Sequence, residues 1–344
     1  MINLKDTILT NCIIHKVGNK VKAESIKLSK NELSLNEDME RQLRDYFLKP
    51  FATPGDTFHF HHDIKLKMNE VYTCSDDIFE DEDFVKTSMD IANHLYQQTR
   101  HPAIKSGELF IALFDEIMID NAICSGLGIF KSERKENFFK TTESDKGIGL
   151  VMDSGLSQQK LDKGCLILND AAHEGFKVFS YEHNNADTEY WRNDFLGITL
   201  KHDTYFQTKE FLSICKDFVK ERLPGEFEVT KADQIDLLNK SVDYFKNTKE
   251  FKTNDFANAV LGEPELIKSF KKYKGEYEKE NDLDIDDSFS ISNQAVKTQA
   301  KTFKSILKLD KNFHIYIHGN KNMIQHGVEK DGRKFYKIYY NEEK

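Results

Sequence analysis

Gly107-Glu-Leu-Phe-Ile-Ala-Leu-Phe-Asp-Glu-Ile-Met-Ile119 opens the part of the chain whose reading decides the fold. Its centre, Leu109–Phe114, is the longest uninterrupted apolar run, too short for a membrane-spanning helix. Further short apolar or alternating runs follow at Ile117–Ile123, Gly126–Phe130, Phe138–Thr142, Gly149–Asp153, Gly164–Leu168 and Phe176–Tyr181. Gly, Asn, Asp and Ser separate them, the punctuation of strands and turns. The connections are shorter than a parallel crossover requires, so the strands are expected to pair antiparallel in one curved sheet. Helical spacing flanks this region at Met39–Phe47 and at Asp83–Gln98, where Phe84, Ser88, Ile91 and Leu95 share a face. The acids Glu80–Asp83 precede that second helix, where the macrodipole favours negative charge. The expected fold class is α+β, an N-terminal antiparallel sheet with flanking helices.

Beyond it, Pro224-Gly225 is the clearest break, dividing the chain into an α+β domain 1–224 and a C-terminal domain 225–344. Helices are expected at Thr208–Leu223, Lys231–Asn247, Asn254–Leu261 and Pro264–Tyr273, followed by an exposed acidic linker, Glu276–Asp287. Ser292 can cap a helix from Asn293 to about Leu307, with Val296, Ala300, Phe303 and Leu307 on one face. Three alternating runs then read as an antiparallel meander: Phe313–His318, Met323–Val328 and Lys334–Tyr340, turning at Gly319-Asn320 and Asp331-Gly332.

Composition narrows the class. The 344 residues carry 49 basic and 58 acidic side chains, a formal net charge of −9, with 39% hydrophobic residues and only 5 Pro and 17 Gly. That excludes collagen-like and broadly disordered chains. The opening Met-Ile-Asn-Leu-Lys-Asp has no apolar stretch of the secretory kind, which points to a soluble intracellular protein. Five widely spaced cysteines, Cys12, Cys74, Cys124, Cys165 and Cys215, read as reduced, mostly buried thiols rather than a disulfide framework or zinc site.

The average charge hides an asymmetry: residues 297–344 carry 11 basic and 5 acidic groups, net +6. Within it, Lys297, Lys301, Lys304 and Lys308 fall at intervals of 4, 3 and 4, one stripe along the expected helix. Such a stripe can follow a phosphate backbone and displace its counterions, although solvated lysines covering a core edge have the same spacing. Arg333, Lys334 and Lys337, interleaved with Tyr336, Tyr339 and Tyr340, suit a nucleic-acid strand or simply a packed sheet. Lys268, Lys271, Lys272 and Lys274, after Asn254–Gly262, form a second basic cluster with a weak helix-turn-helix pattern.

Other constellations are poorer. Asp282, Asp284 and Asp286 imitate a calcium loop, but Asp287 stands where Gly is needed and Asn293 where Glu belongs. His59, His61 and His62, and likewise His314 and His318, lack the acid or thiol partners of a metal site. Asp115, Asp120, Glu133 and Lys135 sketch a Mg²⁺-dependent nuclease, a match that an acidic chain produces cheaply. Neither a nucleophile elbow, a phosphate-binding Gly-rich loop nor a dinucleotide fingerprint occurs.

Five segments carry a resemblance: His101-Pro-Ala-Ile-Lys-Ser-Gly-Glu-Leu109, Gly128-Ile-Phe-Lys-Ser-Glu133, Leu161-Asp-Lys-Gly-Cys-Leu-Ile167, Tyr190-Trp-Arg-Asn-Asp-Phe-Leu196 and, the most distinctive, Ser305-Ile-Leu-Lys-Leu-Asp-Lys-Asn-Phe-His-Ile-Tyr-Ile-His-Gly319. The sequence resembles the bacterial nucleoid-associated protein family, NdpA-like. The resemblance implies a cytoplasmic, nucleoid-located protein that binds DNA, and it carries over no catalytic residue. The expected function is therefore DNA binding with little sequence specificity through the C-terminal basic surface, without cofactor, metal or membrane. A nucleoid adaptor that recruits protein partners is the first alternative and the nuclease the second.

Overall fold

The computed structural model describes residues 2–53, 55–119, 122–145, 147–183, 189–303, 306–309, 311–316 and 323–342. It is α+β, with a large antiparallel sheet in the N-terminal half and small sheets near the C-terminus. Two compact units meet between Lys201 and His202 rather than at Pro224-Gly225. The Pro-Gly pair lies inside α5 (Leu223–Glu226), which continues α4 (Thr204–Asp217) through a π-helical stretch, Phe218–Arg222. The pair therefore lies in the last turn of one helical run, which ends at Glu226 where Phe227 turns extended.

In the first unit the sheet runs β1 (Ile2–Asn3), β4 (Gly107–Ile119), β5 (Ala122–Ser132), β8 (Lys163–Leu168), β9 (Lys177–Glu182), β3 (Phe58–Phe60) and β10 (Ile198–Leu200), with β2 (Ile8–Val17) also on β4. Every pairing is antiparallel. The expected strands Leu109–Phe114 and Ile117–Ile123 are largely one strand, β4, whose register slips between Phe114 and Ile117. Glu116 at φ 60 supplies the irregularity.

The continuous apolar run of β4 follows from burial on both faces. Leu109 and Ile111 meet α2 (Glu70–Phe79) and α3 (Phe84–Gln98), in a core with Ile91, Leu95 and Trp191. Phe110, Ala112 and Phe114 point the other way, to Phe47 and Leu48 of α1 (Glu37–Leu48). Phe47 stacks on Phe130 at a centroid distance of 4.4 Å. The acid run before α3 is used locally: Asp83 caps the helix by accepting from Lys86 N. Gly175 is required by geometry as well as by conformation. It sits at φ +94, and a Cβ there would lie 2.4 Å from Phe60 O.

Two of the expected sheet strands do not join this sheet. Phe138–Thr142 and Gly149–Asp153 belong to β6 (Lys135–Ser144) and β7 (Gly147–Leu156), which among the described residues pair only with each other, as a separate ribbon between β5 and β8. Their alternation is the same whether a face is buried or bare, and here it is bare.

In the second unit, α4 packs with α6 (Lys231–Asn247) and α9 (Asn293–Ala300). Thr230 and Asp233 close a capping box on α6. β11 (Glu250–Lys252) pairs with β12 (Ser288–Ser290), and α7 (Thr253–Phe256) leads towards α8 (Pro264–Glu280). Phe211, Phe245, Phe251, Phe256 and Phe270 form the aromatic centre. The acidic stretch expected as an exposed linker is partly helix α8 and partly tied down: Ile285 is buried and its N–H donates to Glu278.

The helix expected to reach Leu307 ends at Ala300, and its expected last two residues, Ile306 and Leu307, belong to β13 (Ile306–Leu309). Leu307 is buried, as that helix face required, but by a period of two: it pairs with Ile315 of β14 (Phe313–Tyr316) and packs near Ile235. β15 (Ile324–Val328) and β16 (Lys334–Ile338) form a second hairpin, so two two-stranded hairpins replace the three-stranded meander among the described residues. The expected turn at Gly319-Asn320 lies outside the described residues.

Candidate functional site

The C-terminal lysines do not form one helical stripe. Lys297 is exposed on α9, Lys301 is its C-cap, Lys308 lies on β13, and Lys304 lies outside the described residues. Within its hairpin Lys308 sits opposite His314, on the same strand face as the exposed Tyr316. In the second hairpin Lys334 and Lys337 are exposed on opposite faces. Lys337 Nζ lies 4.9 Å from the Tyr339 ring centre, and Arg333 binds Asp331 at 2.7 Å. Tyr336 turns inward beside Ile324, while Tyr339 and Tyr340 stay exposed. On α8, Lys268, Lys271 and Lys272 are exposed, but Lys271 donates to Asn254 and Lys272 faces Glu276 at 3.7 Å. That cluster is mixed in sign.

The nuclease constellation is not assembled. Asp115 stands opposite Ile8, whereas Glu133 follows Ser132, which stands opposite Glu108. Seven strand residues separate the two places, about 23 Å along β4. Glu133 binds Lys131 at 2.9 Å, Lys135 binds Glu108 at 3.0 Å, and Asp120 lies outside the described residues. Among the described residues, no three His, Cys, Asp or Glu side chains are grouped to hold an ion. His59 pairs with Thr199 across β3 and β10, and His61 lies 3.4 Å from Asp63. Burial pushes the thiols of Cys12 and Cys74 up to about 12 and that of Cys124 to about 11, far from a reactive thiolate.

A different site was not visible as a motif. Lys131 on β5 stands directly opposite Lys163 on β8, and Lys163 opposite Glu182 on β9. Like charges facing each other across a sheet repel, and here both are buried. Each ammonium is compensated. Lys131 Nζ donates to Lys105 O at 2.6 Å, Glu133 at 2.9 Å and Tyr190 OH at 3.2 Å, using its three protons. Lys163 Nζ donates to Glu182 at 3.1 Å, and the second Glu182 oxygen faces Arg192 at 3.5 Å. The Tyr190 ring serves both ammoniums, 5.7 Å from Lys131 and 5.5 Å from Lys163.

The same row anchors the ribbon. One Asp162 oxygen accepts from the N–H groups of Glu133 and Arg134 at 2.7 and 3.2 Å, and the other binds Arg134 Nε. The chain is thus clamped where β6 departs. Four of the five segments quoted above, around Lys105, Lys131, Asp162 and Tyr190, meet in this cluster.

A family model, nucleoid-associated protein YejK, matches residues 13–342. The chain belongs to that family. Among curated proteins, none matches the chain. The matched span covers both compact units, so the ionic cluster, the ribbon and the basic hairpins all lie within the family's own sequence. Among the described residues, no helix is long and apolar enough to cross a membrane.

Proposed function

We propose that the chain acts in the cytoplasm as a nucleoid protein that holds DNA by its phosphates, through the basic surface of residues 297–344. The observation that carries this reading is charge segregation. A chain of net −9 places a net +6 in its last 48 residues, and Lys297, Lys301, Lys308, Arg333, Lys334 and Lys337 are all exposed there. A local patch governs the encounter with a polyanion because screening confines each field to about 10 Å. Membership of a nucleoid-associated family supports the choice of DNA as that polyanion. Lysines on strands and helix ends position a phosphate backbone without reading base edges, so binding depends weakly on sequence.

The test is retention of unrelated duplexes by the full chain across a salt series. Log affinity falls with log salt by about 0.9 per phosphate neutralised. Replacing Lys297, Lys301 and Lys308 by Gln lowers that slope by about one per lysine in contact, equally for every duplex. An unchanged slope in the folded variant refutes the reading and leaves an adaptor with protein partners as the better one.

A further inference from the structure

The ribbon of β6 and β7 is exposed along its length: every residue of β6 and all but the last two of β7. A two-stranded hairpin is at best marginal in water, and this one also carries a bare apolar face. The register puts Phe139 opposite Met152, Thr141 opposite Leu150 and Glu143 opposite Ile148, so these side chains share one face. Phe139 is 73% exposed, Met152 69%, Leu150 64% and Ile148 79%. The other face is better covered. Phe138 lays its ring against Gly155, where a Cβ would come within 3.1 Å, and Val151 sits between charged neighbours.

We propose that the face bearing Phe139, Ile148, Leu150 and Met152 is the contact surface of a symmetric dimer of this chain. Charge selects a second copy over a polyanion. Along the sequence of the ribbon Lys135, Lys140 and Lys146 are outnumbered by Glu136, Glu143, Asp145 and Asp153. The apolar face itself carries Lys135 at its base and Glu143 near its tip. A two-fold axis across the ribbon lays tip over base, so each Glu143 meets the other copy's Lys135, which is half-exposed on its bond to Glu108. The same axis sets Ile148 over Leu156 and brings Phe139 and Met152 onto their own counterparts at the centre. Area agrees: the four side chains expose on the order of 500 Å² per copy, so stacking removes about 1,000 Å², the lower bound for a specific association. Faces of stacked sheets approach to about 10 Å, close enough for these side chains to interdigitate.

Sedimentation velocity of the full chain over a hundredfold concentration range tests this. The expected mass at high concentration is twice the 40.0 kDa of one chain. The double substitution Ile148→Lys, Leu150→Lys returns it to one chain without changing the circular dichroism, because the ribbon stands off the core. Independently, Met152→Cys forms an intermolecular disulfide under mild oxidation and Val151→Cys, on the opposite face, does not. The native thiols are buried or half-buried and compete little. A wild type that stays monomeric overturns the proposal, including one whose ribbon binds DNA or another protein instead. So does a dimer that survives both lysines, or equal cross-linking from positions 151 and 152.

Discussion

Replacing Glu182 by Ala removes the carboxylate that pairs with Lys163 among the described residues; the Lys163 side chain is 6% exposed and that of Glu182 fully buried. The ammonium then faces Lys131 across the sheet with the Tyr190 ring as its remaining support. Breaking a buried ion pair from one side costs about 3–5 kcal/mol, since the surviving charge keeps its desolvation penalty. For a unit of this size each kcal/mol lowers Tm by about 2–4 °C, so the expected fall is roughly 6–20 °C. The assay is fluorescence-detected thermal unfolding. The single tryptophan, Trp191, is fully buried in the core of the same unit and reports on it directly. The paired substitution Glu182→Leu, Lys163→Met removes both charges and recovers most of the loss, because neither is left uncompensated. Arg192, 31% exposed at its side chain, can turn to water. A single variant melting within about 2 °C of wild type would falsify the view that this row is a tightly coupled buried network.

Two further outcomes test the same unit. His15 is buried, accepts at Nδ1 from Ser29 N at 3.1 Å and so donates from Nε2 to Ser88 at 3.0 Å, and burial lowers its pKa from 6.5 to about 4. Between those values the unfolded chain binds the extra proton, so this contribution is complete above pH 6.5 and disappears as pH falls to about 4. It amounts to at most about 3 kcal/mol, and urea unfolding of His15→Gln should show a flatter pH dependence in that window. Gly175→Ala combines a positive φ with a backbone clash against Phe60 and should cost more than about 2 kcal/mol by urea denaturation, whereas a loss below about 0.5 kcal/mol would show that β3 can shift aside.

What the sequence disclosed depended on whether burial left a mark in its periodicity. Leu109–Phe114 and Gly164–Leu168 read as strands because both faces are covered and the run is unbroken. Phe138–Thr142 and Gly149–Asp153 also read as strands, correctly, but alternation is silent about which face has a partner, so their separation from the sheet was not legible. Val296, Ala300, Phe303 and Leu307 fit a helix as well as they fit a helix, a turn and a strand. The alternation Leu307, Lys308, Leu309 was the competing signal. The ionic row was hidden because Lys131 and Lys163 lie 32 positions apart and become opposites only through strand register. A lysine at the end of an apolar strand, with an acid two residues later, was the available hint.

The strand order has a consequence in time. Among the described residues β3 pairs only with β9 and β10, whose residues follow it by about 120 to 140 positions. At a synthesis rate of about 5–20 residues per second, Phe58 and Phe60 wait roughly 6 to 28 s after translation for a strand to join. The hairpin of β4 and β5 can close well within that interval, because its partners are neighbours in sequence. The N-terminal unit is therefore built from its middle outwards on the ribosome, and its last edge is sealed only when Leu200 has been made.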